Sequence, residues 1–145
     1  MKILIPMAGE GSRFAKEGYT FPKPLIDVEG KPMIQRVVEN LDFNAEYIFL
    51  VRKSHVEKYA GILDTLERIT NGNSKSIIVD ELTEGAACTA LLAKDLINDD
   101  DDLLIANSDQ ILEYSPENFE MLKNHSGVDG IVLTFNAVHP KWSFV

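Results

Sequence analysis

Short apolar runs and amphipathic stretches alternate along the chain, and their periods predict its elements. Lys2-Ile-Leu-Ile-Pro6 is a continuous apolar run, the pattern of a strand buried in a parallel sheet. Glu46 to Val51, Ser76 to Val79 and Leu103 to Ala106 repeat that pattern. Pro24 to Val28 reads as a short extended piece, and Glu29-Gly30 as a turn. Helical periods fill the intervals. Pro32 suits a helix's first turn, and Met33, Ile34, Val37, Val38 and Leu41 then line one face. Ser54 and Glu57 have capping-box spacing, ahead of one helix carrying Val56, Tyr59, Ala60, Leu63 and Leu66 and ending at Asn71-Gly72-Asn73. The alanine-rich stretch Gly85 to Ile97 predicts a single helix. Ser115-Pro116 open another, with Phe119, Met121 and Leu122, and Asp129 to Val138 reads as a long final strand. This alternation predicts an α/β fold with a parallel, doubly wound sheet.

Composition narrows the class. A length of 145 residues argues for one domain, residues 1–145, large enough to bury its own core. The single cysteine, Cys88, excludes an internal disulfide and suits a reducing compartment. The apolar start is too short for a signal or membrane segment, so a cytoplasmic protein without membrane contact is expected. A net charge of -9 argues against nucleic acid, which needs a basic stripe. Nucleotides remain open as ligands, because a local cationic cluster can oppose the global field. The acidic run Asp99 to Asp102 lies between two apolar segments, where a solvated turn is needed more than a metal site. His55, His125 and His139 fall in no catalytic spacing, Cys88 reads as packing, and Trp142 reads as an anchor for the last segment.

The chemistry concentrates after the first strand. Met7 to Lys23 lacks helical period, and in an open α/β sheet ligands bind beyond the carboxyl ends of the strands. Gly9 and Gly11 let backbone N–H groups approach phosphate, Arg13 offers a bidentate cation, and Lys23 a point charge stiffened by two prolines. Three readings compete for Gly9-Glu10-Gly11. A dinucleotide fingerprint lacks its third glycine, since Phe14 stands there; a triphosphate P-loop lacks Gly-Lys-Ser/Thr; a structural loop with two glycines fits equally well.

The longer pattern separates them. Pro6-Met-Ala-Gly-Glu-Gly-Ser-Arg13, then Phe21-Pro-Lys-Pro-Leu25, then Gly30-Lys-Pro-Met-Ile34 resembles the signature of the sugar-phosphate nucleotidyltransferases, over essentially the whole chain. The resemblance implies a Rossmann-like three-layer sandwich with a mostly parallel sheet, of the nucleotide-diphospho-sugar transferase type. It implies an enzyme moving a nucleotidyl group from an NTP to a phosphorylated acceptor, a sugar 1-phosphate, with Mg²⁺ and release of pyrophosphate. Synthesis of sugar nucleotides for surface polysaccharides is its setting by the same likeness.

Residue by residue, the resemblance assigns nucleotide binding to Ala8, Gly9, Gly11, Ser12, Arg13 and Lys23. Arg13 and Lys23 would also steady charge as pyrophosphate leaves. Glu81-Leu-Thr-Glu-Gly-Ala-Ala87 resembles the base-binding segment: Gly85 matches, while Glu81 or Glu84 stands where the family has glutamine. A carboxylate only accepts hydrogen bonds, which suits the cytosine amino group and favours CTP over UTP. The same carboxylates also suit a solvated helix entry. Asp109 matches the aspartate that holds the catalytic Mg²⁺, with Asn107-Ser108 where the family has glycine. Family members run well past this length and carry a sugar-phosphate lysine and a second metal aspartate later. His139-Pro-Lys-Trp-Ser-Phe-Val145 resembles the segment before that lysine, so the chain reads as ending before the acceptor-binding part. Either it is a fragment, or it is a short protein that binds a nucleotide without turning it over. In the second case the final strand's edge needs a cover, and a homo-oligomer is one way to supply it.

Overall fold

The computed structural model describes residues 1–9 and 21–139. They form two compact units, residues 1–112 and a second unit from residue 113 onward. The first holds a four-stranded sheet: β1 (Lys2–Met7), β4 (Glu46–Arg52), β5 (Ser74–Val79) and β6 (Leu103–Ile105). Its order is β5-β4-β1-β6 and every pairing is parallel. From β1 the chain steps outward to β4 and β5, then returns to the opposite side of β1 for β6.

Period-two alternation divides the core between the two faces. Ile3, Ile5 and Met7 of β1 and Tyr47, Phe49 and Val51 of β4 meet α1 (Met33–Leu41) and α3 (Ile62–Ile69) through Ile34, Val37, Val38, Leu41, Ile62 and Leu66. Leu4, Ile48 and Leu50 point the other way, onto Ala90, Ala93, Leu96 and Ile97 from α4 (Ala86–Leu91), α5 (Lys94–Ile97) and the turn between them. Helices on both faces of a parallel sheet give the expected three-layer α/β sandwich. The acidic run before β6 is a turn fastened to β1: Lys2 N–H donates to the Asp102 carbonyl at 2.8 Å, and Lys2 Nζ pairs with Asp99. That hydrogen bond holds the Asp99 carboxyl below the usual range.

A small antiparallel hairpin, β2 (Asp27–Val28) and β3 (Lys31–Pro32), sits between β1 and α1. Glu29 and Gly30, at φ 52° and 80°, make its left-handed turn. Just before it, Lys23–Leu25 forms a 3-10 turn, where an extended piece was expected from Pro24 on. Pro32 likewise precedes α1 as its cap residue and ends β3, because its ψ of 140° is extended.

Three larger expectations are corrected. The helix expected from Ser54 is two: α2 (Lys53–Lys58), capped at Arg52 with no side-chain cap bond, and α3. Ser54 therefore lies inside the helix and closes no capping box. The break falls at Tyr59-Ala60-Gly61, where glycine disfavours a helix interior and the Tyr59 ring packs on Phe21 at 5.3 Å. The helix expected over Gly85 to Ile97 is also two, α4 and α5. Ala93 between them is buried at 1% exposure, so packing outweighs helical continuity. Residues 128–139, in the second unit, carry no helix or strand, so the long final strand is absent there. An apolar run gains a ladder only from a neighbouring strand, and none of the sheet pairings includes it. The second unit contains α6 (Pro116–Lys123), begun as expected by Ser115, whose hydroxyl accepts from Asn118 N–H at 3.2 Å.

Candidate functional site

The strand order fixes where a ligand can sit. From β1 the chain winds to one side through β4 and β5 and then to the other side for β6, and open parallel sheets bind ligands beyond the carboxyl ends of the strands at such a switch point. Lys23 stands on the stretch that follows β1, and Asp109 on the loop that follows β6. The structure brings these two residues together: Lys23 Nζ donates to Asp109 Oδ2. Their side chains keep 26% and 29% of their exposure, so the pair is partly shielded yet open to a ligand. Asp109 lies in a turn closed by Asn107 Nδ2 donating to Gln110 Oε1 at 2.9 Å.

The remaining candidates are placed less uniformly. Ala8 is buried at 6% in the core on the α4 side, so only its backbone can face a ligand. Gly9 is exposed, with open space where a Cβ would stand. Gly11, Ser12 and Arg13 lie outside the described residues, as do Glu10 and Trp142. Gly85 is the residue before α4, the helix that packs against β1. Its carbonyl accepts from Thr83 Oγ1 and Thr89 Oγ1, each at 3.1 Å, and this fastens the helix entry. Glu81 and Glu84 are exposed ahead of it. Among the described residues no cluster of three His, Cys, Asp or Glu side chains could hold a metal by itself. Asp109 alone offers one hard carboxylate oxygen set. That suits Mg²⁺, which takes one or two carboxylates and completes its shell with substrate phosphates and water.

Two environments could not be read in the sequence. Phe21, which opens the Phe-Pro-Lys-Pro element, lies against Tyr59, whose ring also has Lys58 Nζ 5.5 Å from its centre. The start of that element therefore leans on the segment that follows β4. Nearby on α2, His55 Nδ1 is buried without a hydrogen-bond partner among the described residues. Burial, and then the cations of Arg52 and Lys58, push its pKa down.

The sequence as a whole matches a family pattern. Residues 2–141 match the family model described as nucleotidyl transferase. The chain belongs to that family. It is 32% identical over 132 residues to the bifunctional protein GlmU of Methanococcus vannielii, covering 90% of this chain and 30% of that protein. Over 140 residues it is 34% identical to mannose-1-phosphate guanylyltransferase 1 of Arabidopsis thaliana, covering 92% of this chain and 38% of the relative. Among solved structures, a Bacillus anthracis protein described as a glucose-1-phosphate thymidylyltransferase superposes with a TM-score of 0.70. That match is 22% identical and covers 87% of this chain and 51% of the other. At that identity the likeness establishes the fold, in agreement with the Rossmann-like sandwich. This nucleotidyl transferase chain thus spans about a third of the length of its curated relatives. Among its described residues no helix is long and apolar enough to cross a membrane.

Proposed function

We propose that residues 1–145 are the nucleotide-binding domain of a sugar-phosphate nucleotidyltransferase. The reaction moves an NMP group from an NTP to a phosphorylated acceptor, a sugar 1-phosphate, and releases pyrophosphate. The observation that carries this reading is the Lys23–Asp109 pair, formed by the segments that follow the neighbouring strands β1 and β6. In the reaction an acceptor phosphate oxygen attacks the α-phosphorus. The bond from that phosphorus to the bridging oxygen breaks, and its electron pair leaves with pyrophosphate. No protein nucleophile is needed. The protein positions phosphates and neutralises charge that develops on their oxygens. Gly9 and the backbone of Ala8 approach the phosphates, with Gly11, Ser12 and Arg13 completing the loop. Lys23 stabilises the leaving pyrophosphate, and Asp109 holds Mg²⁺, which supplies charge neutralisation when bound. The Lys23–Asp109 pair gives each group a counter-ion until ligands arrive. A partly exposed pair is worth about 0–1 kcal/mol, small against the roughly 8 kcal/mol of a micromolar nucleotide. Glu81, ahead of Gly85, accepts from a base amino group, which favours CTP over UTP.

Two measurements test this. An NTP of suitable base raises the thermal midpoint of the wild-type chain by mass action. Lys23→Ala removes most of that rise while the midpoint without ligand shifts little; an undiminished rise refutes the role of Lys23. CTP, UTP, GTP and dTTP are titrated singly, and tighter binding of UTP than CTP refutes the base assignment. Pyrophosphate release with a panel of sugar 1-phosphates then distinguishes turnover from the second reading, a nucleotide-binding module without catalysis.

A further inference from the structure

The loop that carries Asp109 is fastened at both ends. At its entry, Ala106 N–H donates to the Leu4 carbonyl at 3.0 Å and extends the β6–β1 ladder by one bond. At its exit, Asn40 in the last turn of α1 grips Leu112. Its Nδ2 donates to the Leu112 carbonyl at 3.0 Å, and its Oδ1 accepts from Leu112 N–H at 2.8 Å. One carboxamide thereby does for Leu112 what a neighbouring strand would do. Asp109 stands midway between the two anchors. Behind Asn40 the helix packs into the core through Ile34, Val37, Val38 and Leu41. Asn40 is half-buried, so losing its carboxamide leaves two backbone groups with poorer partners.

We propose that Asn40 is a positioning residue for Asp109: it fixes the exit of the β6 loop so that the carboxylate is held beside Lys23. This rests on the reading of Asp109 as the metal-holding group. Metal ligands must be held within about half an ångström, and their supporting groups typically change metal affinity about 10–100-fold. Asn40→Leu removes both bonds at similar volume. Asn40→Asp keeps the acceptor for Leu112 N–H and loses the donor to the carbonyl.

The readout is nucleotide affinity of the full chain measured twice, with Mn²⁺ and with EDTA, using the tightest binder of CTP, UTP, GTP and dTTP. Asn40→Leu is expected to cut the Mn²⁺ enhancement about tenfold, to leave the EDTA affinity within about twofold, and to speed amide exchange at Leu112. Asn40→Asp falls between it and the wild type, and carries the test if Asn40→Leu fails to fold. A merely structural role would weaken both arms alike, and that result, or an unchanged enhancement, overturns the proposal. Asp109→Asn is measured in parallel. If it leaves the enhancement intact, the metal reading of Asp109 is wrong and the proposal falls with it. If it abolishes the enhancement while Asn40→Leu does not, the clamp alone is refuted.

Discussion

Lys23 and Asp109 meet because β1 and β6 are neighbours, although the sequence separates them by 86 positions. Each was a candidate singly, Lys23 as a cation between two prolines and Asp109 through the family resemblance. Their contact was not, since nothing in a linear pattern states which strands pair. Asn40 was illegible altogether: on α1 it is one polar residue beside an apolar face. His55 is a further case. It read as bland, yet its Nδ1 is buried without a partner among the described residues, and burial with the neighbouring Arg52 and Lys58 lowers its pKa. The native state therefore favours the neutral ring. That stability is fully present above the unfolded pKa of about 6.5 and is lost as pH falls through the folded value. Lowering pH from about 7.5 to 5.5 should depress the thermal midpoint of the wild type more than that of His55→Gln. Equal depressions in the two proteins would show that His55 does not carry the effect.

At the level of elements, period and length predicted β1, β4, β5, β6 and α1 well; β1, β4 and α1 bury continuous apolar faces, whereas β5 and β6 are edge strands that stay largely exposed. The failures share a cause. The stretch from Ser54 and the stretch from Gly85 both keep a helical period, but the chain breaks them where the Tyr59 ring packs on Phe21 and where Ala93 enters the core. The β2–β3 hairpin shows the opposite balance, a local rule that held. Glu29-Gly30 was read as a turn, and the structure gives both residues positive φ. Arg36 from α1 then seals it, donating to the Val28 and Glu29 carbonyls at 3.2 and 2.9 Å. A Cβ at Gly30 would meet nothing within 4 Å, so the φ of 80° is the whole penalty. Gly30→Ala should therefore cost about 1–2 kcal/mol in urea unfolding. A neutral or stabilising change would mean that the turn relaxes to another conformation.

On the scale of the whole molecule, burial concentrates in two central strands. Ile3, Leu4 and Ile5 of β1 and Ile48, Phe49, Leu50 and Val51 of β4 are all at 0% exposure, and both strands have neighbours on either side. Their amides should exchange at least about 10³-fold more slowly than those of residues 130–138, which lie in no helix or strand. Comparable protection in the two groups would mean that those residues are ordered by pairing absent from this sheet. The sequence by itself determined the α/β alternation, the four strands of the parallel sheet and α1, the nucleotidyl transferase family and the individual candidates at Lys23 and Asp109. These are carried by local period and by spacing within short stretches. Only the tertiary structure decided the order β5-β4-β1-β6, and with it the meeting of Lys23 with Asp109 and the grip of Asn40 on Leu112. Those depend on which strands become neighbours, and that follows from packing both faces of one sheet at once.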